Sequence, residues 1–292
     1  MDDLQDRLYR HVDTLAGLIG PRYLGRPKSL ESAAAYIGQQ LGRAGESVVR
    51  ETYDVDGHPV HNVVLERKGT RYPEQIVVLG AHYDTVSNTP GADDNASAVA
   101  VLLEVAALLH GHDLPRTVRY VAFACEEPPY FHTGSMGSQF HARAARLRGE
   151  DITAMVCLEM VGYYSDEPGS QRVPPGIPRA VRWLFPKRGN FLASVGNLQS
   201  LRTVWRFHRG FRAKSKLRLF SVALPELINE IRLSDNSSFW DQGYPAIMVT
   251  DTSFFRNPNY HTASDTPDTL DYARVAAATN GVASGVARLA GR

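Results

Sequence analysis

Cysteine is scarce: Cys125 and Cys157 are the only two among 292 residues, and both sit inside apolar, strand-like runs. Two thiols so placed fit reduced, buried side chains better than a disulfide framework, and they say little about compartment. Long apolar runs are missing as well. Met1 is followed by Asp2, Asp3 and Asp6, and no stretch near the start reaches the length of a signal-peptide core or a membrane span. The expectation is a cytoplasmic chain with no membrane partner, or a secreted one if a leader has been removed. A glycine-rich phosphate loop, a Ser-His-Asp order and the paired cysteines of a zinc knuckle are also absent. Acidic residues vanish from one region: Arg172 to Arg218 holds 12 Lys or Arg and no Asp or Glu, although the net charge of the whole chain is only +1. A solvated face accounts for such a run, and a field that attracts anionic peptides is the sharper alternative. The aromatics among these charges (Trp183, Phe185, Trp205, Phe207, Phe211) form no nucleic-acid-binding motif, so no nucleic acid partner is expected.

With 43% hydrophobic and 22% charged residues, the chain can build a sizeable core. Helical periodicity over 4–19 and 29–44 opens it. Short β-branched runs follow: "HNVVLERKG", "EQIVVLGAHYD", "TVRYVAFACEE", "ITAMVCLEMVGYY", "NFLASVGN", "LRLFSVAL" and "PAIMVTDT". Helices are predicted between them, over 95–110, 134–148, 198–209 and 234–242, and a last one over 268–290. This alternation predicts an α/β three-layer sandwich, a mixed and largely parallel central sheet flanked by helices. No repeat or clean linker interrupts it. The expectation is one domain over 1–292, with 1–28 as a helical extension packed on it and the Pro/Gly-rich stretch within 165–190 as an excursion.

Ligands in open α/β sheets gather beyond the carboxyl ends of strands. There the sequence places His82 and Asp84, Asp93 and Asp94, Glu126 and Glu127, Glu159, and His261. Singly, each has a plain structural explanation, as a helix cap, a core histidine or a solvated charge. Together they concentrate carboxylates where hydration is lost, which calls for a positive partner. Two His and three carboxylates with a spare Glu suit zinc with N and O ligands and exceed the needs of one tetrahedral ion. Two ions sharing a carboxylate would use all of them and would suit amide hydrolysis.

The order "AHYDTV", "PGADDNASA", "ACEE", "LEMVGYY" and "YHTASDTPDTLDY" resembles the M28 family of di-zinc aminopeptidases, over roughly Ser29 to the C-terminus. The resemblance implies a zinc exopeptidase-like fold, peptide substrates cleaved at the N-terminus, and two zinc ions per chain. It implies that His82 and Glu159 hold one zinc, that Glu127 and His261 hold the other, and that Asp94 bridges them through a cis Asp94-Asn95 peptide. Asp84 would orient the His82 imidazole, Glu126 would be the general base, and Tyr260 would help polarise the scissile carbonyl. Three departures stand out: Glu159 where the family often has Asp, a longer "PPYFHTGSMGS" after the Glu pair, and Asn236 where a His is common, so Asn236 receives no metal. The longer loop would bring Tyr130, Phe131 and His132 near the site, and His132 is the one remaining histidine expected near the pocket. Alternatives are a carboxypeptidase-like relative, which the basic segment would suit, a one-zinc glutaminyl cyclase-like relative, and a non-catalytic zinc-binding domain.

Overall fold

Eight strands form one mixed sheet in the computed structural model, which describes residues 3–291. Met1, Asp2 and Arg292, part of the expected 1–292 span, lie outside the described residues. The strands are β1 (Val48–Val55), β2 (His58–Arg67), β3 (Tyr72–His82), β4 (Arg116–Phe123), β5 (Asp151–Glu159), β6 (Phe191–Asn197), β7 (Arg218–Leu224) and β8 (Ala246–Thr250), in the order β1-β2-β4-β3-β5-β8-β6-β7. The central four, β4-β3-β5-β8, run parallel, so their carboxyl ends share one edge of the sheet. On one flank β2 pairs antiparallel to β4 and carries β1; on the other β6 pairs antiparallel to β8, and β7 runs parallel to β6.

The helices are α1 (Leu4–Val12), α2 (Pro27–Leu41), α3 (Ala98–Leu108), α4 (Gly137–Leu147), α5 (Leu201–Lys214), α6 (Asn236–Trp240) and α7 (Tyr272–Ala290). They divide unequally. The large core joins α1, α2, α3, α5 and α7 to one face of the sheet, while α4 and α6 cover part of the other face through Ala142, Ala145, Phe239 and Trp240. Helix α3 is buried continuously from Ala98 to Ala106, because it lies between the sheet and the outer helices. Its one carboxylate, Glu104, is matched by Arg7 at 2.9 Å and His11 Nε2 at 3.2 Å, both from α1. No helix among the described residues is long and apolar enough to cross a membrane.

Several boundaries differ from the sequence expectation. β1 was not foreseen: its run Val48–Val55 alternates, but Arg50, Glu51 and Asp54 make it read as a loop, and it survives because β2 supplies its ladder along one edge. The first helix is regular to Val12 and widens into a π-helical turn over Asp13–Ile19. α5 starts at Leu201 and runs five residues further than expected.

Candidate metal centre

β3 ends on His82 and β5 ends on Glu159, while Glu126 and Glu127 follow three and four residues after the end of β4. Asp94 stands in the turn before α3, and His261 comes from the loop after β8. The shared carboxyl edge of the parallel strands brings all of these together. His82 Nε2 lies 3.4 Å from Asp94 Oδ1 and 3.3 Å from Glu159 Oε2. His261 Nε2 lies 3.1 Å from Asp94 Oδ2 and 3.2 Å from Glu127 Oε2. Two triads of donor atoms result, His82/Asp94/Glu159 and Asp94/Glu127/His261, each with its atoms within 4.8 Å of one another. Asp94 belongs to both and offers a different oxygen to each imidazole.

The backbone under these side chains is held by two carboxylate clamps. Asp84 accepts the N–H of Glu126 on Oδ1 and that of Glu127 on Oδ2, each at 3.1 Å. Asp265 does the same for Asp93 (2.9 Å) and Asp94 (3.1 Å). The Asp84 carboxylate thus has a backbone role that the sequence did not imply, while for the implied one the hydrogen-bond partner of His82 Nδ1 is the Asp84 carbonyl oxygen, at 3.2 Å, with the carboxylate further off at 3.6 Å. The Asp94-Asn95 peptide is cis. Asn95 then ties this turn to the end of β5, donating to the Leu158 carbonyl at 3.1 Å and accepting from the Met160 N–H at 2.9 Å. Gly91 opens the turn at φ 65°, where a Cβ would stand 2.4 Å from the Asp94 carbonyl oxygen.

Burial alone would depress the His82 imidazole, yet Glu126, Glu159, Asp84 and Asp94 together raise its pKa well above the ordinary value. Burial likewise opposes protonation of His261, and Asp94 and Glu127 overcome it, raising the pKa to about 10. Burial is the first cause at Glu126 and Glu127 too, reinforced by neighbouring carboxylates; Glu126 is pushed well above the usual range and Glu127 to about 8. Glu127 Oε1 is buried with no hydrogen-bond partner, and His261 Nε2, although close to two carboxylate oxygens, is aligned for a hydrogen bond with neither. Orphaned donor atoms, crowded carboxylates and imidazole nitrogens directed at them are what a divalent cation with N and O ligands resolves, so the residues present fit such an ion.

Other residues enter that sequence reasoning did not single out. Ser234 Oγ donates to Glu159 Oε2 at 2.6 Å. The next residue, Asp235, is fully buried with both oxygens unpartnered, and burial first, then Glu159 and Asp84 against His82, lifts it to about 7. Both stand beside Asn236, which donates to the Ile231 carbonyl. Asp265 lies inside the motif containing His261, and its spacing carried no signal of the clamp.

A cavity of about 420 Å³ opens from the carboxylates and is lined at that end by Asp94, Glu126, Glu127, Glu159, Tyr260 and His261. The Tyr260 ring stacks on His261 with centroids 3.7 Å apart. Phe131 reaches the cavity, whereas Tyr130 and His132, also expected near it, are not among its lining residues, and His132 pairs with Ser237 Oγ at 2.9 Å.

The model of peptidase family M28 matches residues 62–286. An uncharacterized protein of Escherichia coli K12, YfbL, is 38% identical over 286 residues, covering 95% of this chain and 86% of its own. The zinc aminopeptidase BSAP of Bacillus subtilis shares the fold, with a TM-score of 0.75 at 15% identity over 97% of this chain and 94% of that one. A glutaminyl cyclase of Fimbriiglobus ruber shares it as well, with a TM-score of 0.68 at 20% identity over 97% and 95%. At such identities the structural likeness speaks for the fold alone; the family match and the 38% relative carry the assignment, and the chain belongs to peptidase family M28, as a hydrolase.

Proposed function

We propose that this chain is a zinc-dependent aminopeptidase working with two metal ions. The observation that carries the reading is the pair of donor triads meeting at Asp94, with Glu126 alongside and in neither. His82, Glu159 and Asp94 would hold one zinc, and Glu127, His261 and Asp94 the other. Bound there, zinc polarises the scissile carbonyl and makes a water acidic enough to be deprotonated near neutral pH.

Glu126 performs the proton transfers. Its carboxylate lies 3.9 Å from His82 Nε2, beside the first triad. Burial and the surrounding carboxylates raise its proton affinity. It can therefore take a proton from the attacking water and return it to the departing amine. Burial and the neighbouring carboxylates keep the Tyr260 phenol protonated, as a hydrogen-bond donor for the developing oxyanion. Asp84 acts through others, by holding the backbone of the Glu pair.

The polarity of cleavage follows from charge. The carboxylate-rich end of the cavity suits a substrate ammonium. Of the Lys and Arg side chains of the basic segment 172–218, Arg172 alone lines the cavity among the described residues, and its guanidinium donates to the Phe254 carbonyl. That weakens the carboxypeptidase-like reading. A complete second triad weakens the one-zinc cyclase reading, and a spare buried Glu weakens the scaffold reading. On this proposal the chain is one catalytic unit, with the described residues of the 1–28 extension packed on it and 165–190 contributing to a wall of the cavity.

Elemental analysis should find two zinc ions per chain, and a chelator should abolish hydrolysis of aminoacyl amides. Glu126→Gln should keep both metals and fold normally while turnover falls at least about 10²-fold. One metal with full activity, or an active Glu126→Gln, overturns the reading.

A further inference from the structure

In a three-layer sandwich both faces of the sheet are covered by helices, yet one face is left open at β6 and β7. The even-numbered Leu192 of β6, with Leu219 of β7 and Ile247 and Val249 of β8, faces the large core under α5 and α7. The alternate residues Phe191, Ala193 and Val195, Phe220, Val222 and Leu224, and Met248 and Thr250 point the other way. The core under helices α4 and α6 buries that face as far as Met248 and reaches only the ends of β6 and β7, at the partly buried Val195 and Leu224. Beyond it the covering is irregular chain: the 165–190 segment contributes Pro174, Ile177, Phe185 and Pro186 together with the polar Gln171 and Arg172, and the segments 228–233 and 252–255 close the rest, Glu230 among them. The gap between them is the 420 Å³ cavity.

Register fixes its direction. Glu159 is level with Thr250, Thr250 with Ala193, and Ala193 with Phe220, so the cavity runs from the metal-ligand end of β5 sideways across β8 and β6 to β7. Three strand widths are about 14 Å at the usual strand spacing. A cavity of ~150 Å³ accommodates a benzene ring, so this one holds far more than a single aromatic side chain even after the reacting amide has taken its share. Beyond the carboxylate end its sheet floor is hydrocarbon except for Thr250.

Resting on the aminopeptidase reading for its orientation, we infer that the site takes substrates whose amino-terminal residue carries an apolar group longer than any ordinary side chain, with S-alkylated cysteine as the model. The ammonium and scissile amide sit among the carboxylates, and the hydrocarbon lies across β8, β6 and β7. Each methylene moved out of water strengthens binding by up to about fourfold.

Two measurements test this. In the first, the metal-loaded protein is given coumarin amides of alanine, leucine, phenylalanine, tryptophan, S-butylcysteine and S-octylcysteine. kcat/KM is expected to rise along the series and to be at least tenfold higher for S-octylcysteine than for phenylalanine. A fall beyond phenylalanine, with alanine still cleaved, overturns the inference and leaves the aminopeptidase reading intact. In the second, calorimetry follows the binding of butylamine, hexylamine and octylamine, which needs no turnover. Affinity is expected to climb with length in the native chain and to flatten in Ala193→Phe, or in Val222→Phe should the first not fold. Flat affinity in the native chain overturns the inference. Rising affinity without cleavage of any amide supports the cavity assignment and refutes the aminopeptidase reading.

Discussion

At the residue scale, the centre is a problem of holding anions together before any cation arrives. Asp84 and Asp265 solve the backbone half by giving each oxygen one N–H of an acidic dipeptide. Asn at position 265 keeps only one accepting oxygen and turns an N–H donor toward a second N–H. Asp265→Asn should therefore cost about 1–3 kcal/mol of stability and weaken metal binding about 10–100-fold, as loss of a supporting partner does; thermal melts and competition with a coloured chelator would read both, and unchanged metal affinity would contradict the clamp. Titration gives a second expectation. Without metal, His261 holds its proton up to about pH 10 and Glu127 up to about 8, yet both must be deprotonated to act as ligands. Falling pH thus favours the metal-free form. Between pH 6 and 8, log affinity should rise by at least about one per pH unit; a flat profile would show that neither group is a ligand.

At the element scale, the strand ends were the legible part. The apolar runs ending on His82 and Glu159 are buried on both faces, and such runs read clearly because a central parallel strand tolerates nothing else. β1 was illegible for the converse reason: an edge strand needs only one buried face and takes charges on the other. The carboxylate motifs were readable because their spacing within each turn is local. The clamps were not, since Asp265 meets Asp93 across 172 residues and no periodicity encodes that distance. The expectation for His132 failed on similar grounds: the longer loop carries it to Ser237 on α6, so loop composition placed the neighbour Phe131 in the cavity but not the histidine itself. The basic segment is likewise explained only in three dimensions. Most of its cations after 200 belong to α5, whose apolar Val204, Phe207 and Phe211 pack inward against α7 and leave the charges outside.

At the scale of the whole molecule, the amino-terminal segment is tied into the catalytic edge by a single residue. Arg22 is fully buried, and its guanidinium donates to five carbonyl oxygens: Leu15 (2.8 Å), Gly20 (3.0 Å), Tyr83 (2.8 Å), Pro90 (2.7 Å) and Gly91 (3.0 Å). Tyr83 lies between His82 and Asp84, and Gly91 opens the turn that carries Asp94, so one side chain joins the first helix to both arms of the candidate metal centre. Burial lowers its pKa to about 10, against the pull of Asp265, Asp84 and Asp94, which still leaves it charged at neutral pH. Arg22→Met keeps the apolar stem but strands five acceptors, three of them in buried contacts and two in partly buried ones. Lysine, with one compact ammonium, cannot reach them all. Unsatisfied buried groups cost about 1–3 kcal/mol each before relaxation, so a loss on the order of 4 kcal/mol is expected, equivalent to roughly 6–7 °C in Tm for a chain of this size. Zinc should also bind more weakly, because the carbonyls on either side of the centre lose their common anchor. A melt within about 2 °C of the native chain, with zinc affinity unchanged, would mean that the amino-terminal segment merely rests on the catalytic edge.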